Sequence, residues 1–354
     1  MAEGVQSPTC PDVVEVIPVV PKRKRVFISS AMVECCRSLT TPVKKSRRRK
    51  DIVYKESAVE MEIETEIGKF CDYCECVDPQ TMVSDLDASD INSYLRSMEL
   101  QDKNRPIANF LETVQKDMTA NNRRVLVDWL VEVTEEYKLS SHTLYLTVSC
   151  LDRFLSRQSF PKSKLQLLGV GCMLAASKYE EIDPPSSDDF ADITDNAFTK
   201  LEVSKMEIDV LKVLKWELGA PTPKTFLSRL LSIKKEKSQT QLEFLADYLV
   251  ELSLLDYEFL RYPASTIAAS AVFLAKLTLR PDSNPWTPEL HLLSNYKSSD
   301  LRDCVHSLHS QQMNKKTALS TAIGAKYEQS SFYSVSTLVP PTIFPYAYFQ
   351  NSQE

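Results

Sequence analysis

Between Arg123 and Leu139 the chain reads RRVLVDWLVEVTEEYKL, a run whose apolar residues recur with the period of a helix. Val125, Leu126, Trp129 and Val133 fall at the i, i+1, i+4 and i+8 spacing of one helical face, so the segment must bury a broad stripe against other elements. Arg123 and Asp128 interrupt that stripe with opposite charges. A charge drawn into an apolar face is tolerated only when a partner meets it there, so whichever of the two is buried must be paired. Similar helical patterns recur downstream, and no strand-like alternation competes with them. With only 6 glycines in 354 residues and 43% hydrophobic content, the chain suits packed helices joined by few tight turns, which makes the fold class all-α.

Ser89 or Asp90 can cap a helix through Met98, and periodicity predicts further helices at 107–118, 122–138, 141–156, 161–180 and 199–215. Pro161 suits a helix start and Pro184-Pro185 a stop. Ala220-Pro221-Thr222-Pro223 cannot continue a helix and reads as a linker. Helices are predicted beyond it at 223–234, 240–255, 263–279, 298–313 and 317–328. A weak internal repeat sets Gly171 to Ala176 against Ser270 to Ala275, placing small residues where a central helix could be approached closely in each half. Residues 1–85 pass from proline-bearing to basic to acidic without sustained periodicity and read as a disordered regulatory tail, and 342–354 as a second tail.

The net charge of −6 conceals this uneven distribution, with basic blocks between Lys22 and Lys50 and an acidic stretch from Glu56 to Asp90. Lys22, Arg23, Lys24 and Arg25 have the charge density of a nuclear import signal, so the expected location is the nucleus. The same run could bind nucleic acid or be simply solvated; little aromatic interleaving accompanies it, so no direct nucleic-acid partner is expected. Nine cysteines without a secretory signal fit a reducing compartment. Cys71, Cys74 and Cys76 lack a second ligand pair at zinc-site spacing and read as free thiols. Ile267 to Leu279 is interrupted by Lys276 and is shorter than the ~20 residues of a membrane-spanning helix, so no membrane is expected. His142, His291, His306 and His309 show neither metal-ligand spacing nor a nucleophile partner, and no glycine-rich phosphate loop follows a strand. No catalytic residue, metal or cofactor is expected. The chain is expected to act by contact.

The run at Arg123, followed by TLYLTVSCLDRFLS from Thr143 and KLQLLGVGCMLAASKYEEIDPP from Lys164, resembles the cyclin box. The flanking SDINSYLRSMEL and RPIANFLETVQKDMT resemble the A-type cyclins of plants, in their third subgroup, and the similarity extends from about Ser89 to Pro341. It implies two tandem five-helix cyclin folds, 86–220 with a leading helix and 221–341, and a non-catalytic subunit that activates a cyclin-dependent kinase in cell-cycle control. A transcription adaptor resembling transcription factor IIB is the alternative; it would need a zinc ribbon and a basic DNA-facing surface, and neither is convincing here.

Lys178 and Glu207 each place one charge on an otherwise apolar helical stripe, and the residues alone leave a snorkelling side chain open. The resemblance assigns both to the kinase interface, with Tyr179, Glu180, Trp216 and Leu218. It assigns Arg123 and Asp152 to a structural salt bridge between the first two helices of the box. It further assigns Val125, Leu126, Trp129, Glu132 and Gln166 to a patch that docks substrates carrying an arginine-leucine motif, although the apolar members also read as core. Asn122 stands where the family usually has methionine, and Arg124 where it has a small residue, so polar groups are expected at the groove edge. Arg25-Val26-Phe27-Ile28 resembles a degraded destruction box, implying a ubiquitin ligase as partner, and Arg123 to Leu126 fits the short form of that motif. Thr41-Pro42-Val43-Lys44 resembles a proline-directed kinase site.

Overall fold

The computed structural model describes residues 90–232, 240–314, 321–342, 344 and 346–349. The basic run from Lys22, the motifs at Arg25 and Thr41 and the cysteines from Cys71 to Cys76 lie outside them. The described residues are helical, with no strand among them.

A leading helix α1 (90–99) and a short α2 (Phe110–Thr113) precede five helices of the first repeat. These are α3 (Ala120–Glu136), α4 (Ser141–Leu155), α5 (Leu165–Glu180), α6 (Ser187–Asp192) and α7 (Lys200–Val213). Three of them begin with a reciprocal capping box that satisfies backbone donors left open by the first turn: Thr119 with Asn122 at α3, Ser186 with Asp189 at α6, and Thr199 with Glu202 at α7. The second repeat comprises α8 (Pro223–Leu231), α9 (Thr240–Leu255), α10 (Ala264–Leu279), α11 (Pro288–Ser294) and α12 (Ser298–Met313), with α13 (Ala322–Glu328) after it. The linker between the repeats supplies its own helix start, since Thr222 caps α8 and Pro223 occupies its first turn.

α5 and α10 are the central helices, apolar on nearly every side because neighbours cover them all round. The repeated segments 171–176 and 270–275 lie in their buried middles. Gly171 is needed there for close approach: a Cβ would lie 2.6 Å from Met206 Cγ of α7. Three segments depart from expectation. Of 107–118 only Phe110–Thr113 is helical, because Gln115 turns its amide to the end of α4, donating to the carbonyls of Leu155 (2.6 Å) and Gln158 (2.8 Å) and accepting from Phe160 N. The helices α6 and α11 are too short to show a period and were not expected.

The leading helix is fastened to the second repeat. Glu99 accepts from the backbone N and hydroxyl of Ser265 in the first turn of α10, Asn92 donates to Leu293 O, and Arg96 lies over the Tyr296 ring at 4.2 Å. α13 bridges the repeats: Asp128 of α3 accepts from Ala322 N, and the Lys326 ammonium lies 3.1 Å from Glu135 of α3 and 3.0 Å from the buried Glu251 of α9. Burial pushes the Glu251 carboxyl up despite that partner. The expected tail from residue 342 is seated in part, since the Phe349 ring stacks on Phe273 of α10 at 5.1 Å and Phe344 meets His309 of α12 at 4.5 Å. Cys150, Cys172 and Cys304 are buried free thiols.

Candidate functional site

The last turn of α5 packs against the middle of α7, and the charged side chains of their stripes meet there. Lys178 Nζ donates to both carboxylate oxygens of Glu207, at 2.7 and 2.8 Å. The lysine side chain is 51% exposed and the glutamate 11%, so the carboxylate is a fixed support beneath a cation that still faces solvent. Both residues were expected at the kinase interface; that they bond each other is what the structure adds.

Beyond Lys178, Tyr179 is 58% exposed and Glu180 and Ile182 are exposed. Glu181 points inward instead, accepting from Ser140 N (2.7 Å) and the Thr143 hydroxyl, which ties the end of α5 to the start of α4. After α7 the chain turns through two consecutive left-handed residues, Lys215 (φ 55°) and Trp216 (φ 63°). The turn leaves the Trp216 ring 68% exposed, while Leu218 is buried. Gly219 lets Tyr179 lie close, since a Cβ there would sit 2.5 Å from the Tyr179 hydroxyl. The structure thus brings Lys178, Tyr179 and Glu207 together with the segment carrying Trp216, whereas Leu218 contributes packing.

Arg153 of α4 was missed by sequence reasoning. It is buried, and among the described residues it has no ion pair; instead it donates to the carbonyls of Lys103, Glu217 and Leu218. Burial pushes its guanidinium down from the ordinary range. The signal was there: Asp152 and Arg153 adjoin in an apolar helix, about 100° apart, so one partner could not serve both.

Asp152 takes the other arginine. Arg123 Nε donates to Asp152 Oδ1 (2.6 Å) and Nη2 to Oδ2 (2.7 Å), both side chains being almost fully buried. Nη1 donates to Leu254 O of α9 at 2.8 Å, so the pair also locks the two repeats together. Burial opposes the charge of Arg123, but the Asp152 carboxylate together with Asp256 and Tyr257 holds the guanidinium above its ordinary pKa.

On the expected docking patch, Leu126 and Trp129 are buried, Val125 and Gln166 half-buried and Glu132 exposed. Asn122 does not form a polar groove edge. Its Oδ1 accepts from Thr119 N (3.0 Å) and the Thr119 hydroxyl (2.9 Å) at the start of α3, and it is buried in that role. Arg124 instead lines a cavity of ≈ 350 Å³ between α3 and the second repeat, with Asp256, Tyr257 and Gln311. The short destruction-box match at Arg123 to Leu126 lies within α3, with both ends buried. Among the described residues no group of three His, Cys, Asp or Glu could hold a metal ion, and no helix is long and apolar enough to cross a membrane.

Residues 90–219 match the family described as cyclin, N-terminal domain, and residues 221–341 the cyclin, C-terminal domain. Cyclin-A3-1 of Oryza sativa subsp. japonica is 55% identical over 270 residues, covering 75% of this chain and 72% of that one. The G2/mitotic-specific cyclin C13-1 of Daucus carota is 51% identical over 265 residues, covering 74% and 78% respectively. The X-ray structure of a viral cyclin from herpesvirus saimiri aligns with a TM-score of 0.56 at 26% identity, covering 62% of this chain and 96% of that one. Two tandem five-helix repeats, a buried Arg123–Asp152 pair joining them, and relatives among plant A3-type cyclins lead to one conclusion: the chain belongs to the cyclin family.

Proposed function

We propose that the chain is the non-catalytic activating subunit of a cyclin-dependent protein kinase. The observation that supports this best is the solvent-facing strip of Lys178, Tyr179, Glu180 and Trp216: Glu207 holds Lys178, Glu181 ties down the end of α5, Gly219 lets Tyr179 lie close, and Trp216 N is bonded to Leu211 O. Large exposed aromatics on a rigid support are the usual anchors of a protein interface. Kinase catalysis requires the ATP-positioning lysine to pair with a glutamate on the movable αC helix. A surface that binds the competent arrangement better than the inactive one shifts the population and itself makes no bond. Substrate selection by the Val125, Glu132 and Gln166 face belongs to the same proposal, with the Glu132 carboxylate receiving the arginine of the docking motif. Nuclear location is proposed from Lys22 to Arg25, and capture by a ubiquitin ligase from Arg25 to Ile28, because Arg123 and Leu126, the ends of the other match, are buried within α3.

The test exchanges the pair. The double variant Lys178→Glu with Glu207→Lys retains an ion pair within the fold but reverses the sign of the exposed charge. Helix content and melting temperature should be close to wild type, while activation of a cyclin-dependent kinase toward histone is lost. Full activation by the folded double variant would refute the interface. Glu132→Ala should weaken phosphorylation of an arginine-leucine substrate and leave a motif-free peptide unaffected; equal loss on both substrates would refute the docking role.

A further inference from the structure

The segment Trp216–Leu218 leaves α7 in a turn whose start is tied back to the helix, Trp216 N bonding to Leu211 O at 2.8 Å and Glu217 N to Leu214 O at 3.1 Å. Lys215 and Trp216 occupy the left-handed region that side-chain-bearing residues seldom adopt, and two residues on, Ala220 N bonds back to Leu218 O at 2.7 Å in a tight turn. Two backbone carbonyls inside this segment point inward to the same buried group. Arg153 Nη2 donates to Glu217 O at 2.5 Å and Nη1 to Leu218 O at 3.2 Å, while Nε donates to Lys103 O at 3.0 Å. On its outer side the segment also carries an exposed ion pair, Lys103 Nζ with Glu217 Oε1 at 3.3 Å.

We propose that Arg153 is a positioning residue that holds the Trp216–Leu218 segment in the conformation that presents the Trp216 ring to the kinase. The proposal rests on the interface reading above. A planar guanidinium offers donors in a fixed fork, so one side chain can serve three carbonyls that diverge in its plane; a lysine ammonium is a point donor on a flexible stem and cannot span them. A buried cation without a carboxylate is costly, and an arginine used only for packing would be better replaced by an apolar residue of similar volume. The position of those carbonyls is what the charge secures. Arg153 itself is buried and touches no partner, so its effect on the kinase runs through the backbone that carries Trp216.

The chain's three tryptophans allow a direct test, because Trp129 and Trp286 are buried in the first and second repeats and only Trp216 is exposed. Full-length protein labelled with 5-fluorotryptophan gives three ¹⁹F resonances, assigned by Trp216→Phe. In Arg153→Lys the Trp216 resonance should shift or split while the other two stay in place, and the Kd for a cyclin-dependent kinase that the wild-type chain activates should rise about tenfold. Arg153→Gln, which keeps two N–H donors, makes the same comparison if the lysine variant does not fold. An unmoved Trp216 resonance, or equal displacement of all three, would overturn the proposal, since a purely structural arginine disturbs the repeat as a whole. An unchanged Kd in Arg153→Lys alongside a weakened Trp216→Ala would overturn it while leaving the interface intact. An unchanged Kd in Trp216→Ala would instead remove the interface reading and the proposal's premise.

Discussion

Replacing Asp152 by Asn tests the buried pair at its sharpest, because shape is kept and charge is removed. Arg123 would retain its bond to Leu254 O but would face a neutral amide in place of a carboxylate that takes two bonds, at 2.6 and 2.7 Å. With charge centres about 4 Å apart and an effective permittivity of about 20, the attraction lost is ~4 kcal/mol. Breaking a buried pair from one side typically costs ~3–5 kcal/mol, in agreement. For a domain of this size each kcal/mol lowers Tm by ~2–4 °C, so the variant should melt roughly 10 °C below wild type. The double change Arg123→Met with Asp152→Leu should cost less than the single one, because no charge is then stranded. It should still lose ~1–3 kcal/mol, because Leu254 O is left without its donor. Urea unfolding followed by circular dichroism, on wild type, Arg123→Met, Asp152→Leu and their double, gives the coupling energy directly. Additive effects, or a loss below about 1 kcal/mol in Asp152→Asn, would refute the view that this pair joins the repeats.

Asn122→Met should destabilise by about 1 kcal/mol, because it removes the amide that satisfies Thr119 N; a raised urea midpoint would contradict this. Lys326→Met strands the Glu251 carboxylate and should cost ~3–5 kcal/mol near neutral pH. Burial already raises that carboxyl, and without its cation it rises further, so the folded variant holds a proton that the unfolded chain has released. Its stability should therefore recover as pH falls from about 7.5 toward the ordinary glutamate pKa of ~4.3, and a deficit that does not vary with pH would exclude the mechanism. Burial raises the Cys150 thiol to about 11 and Cys304 to about 12, and pushes Cys172 up as well. Alkylation at about pH 8 mapped by mass spectrometry should leave all three unmodified until urea unfolds the chain.

Periodicity, proline placement and capping residues are local properties, so the sequence alone determined the long helices, the break at Ala220–Pro221 and the two central helices marked by the internal repeat. The resemblance located Lys178, Glu207, Arg123 and Asp152 for the same reason: each is a charge on an apolar stripe. What such a charge meets depends on segments far away in the chain. Only the tertiary structure decided that Lys178 and Glu207 bond each other, that the Arg123–Asp152 pair also reaches Leu254 in the second repeat, that α1 is fastened to the second repeat and that α13 bridges the two. Asn122 shows the opposite lesson, since a residue read as the edge of a groove is taken up by a cap three residues away. Arg153 stood out only as a charge in an apolar helix; what it meets was not legible, because its partners are backbone carbonyls, which every residue carries and no sequence pattern can single out, and only packing aims three of them at one buried side chain.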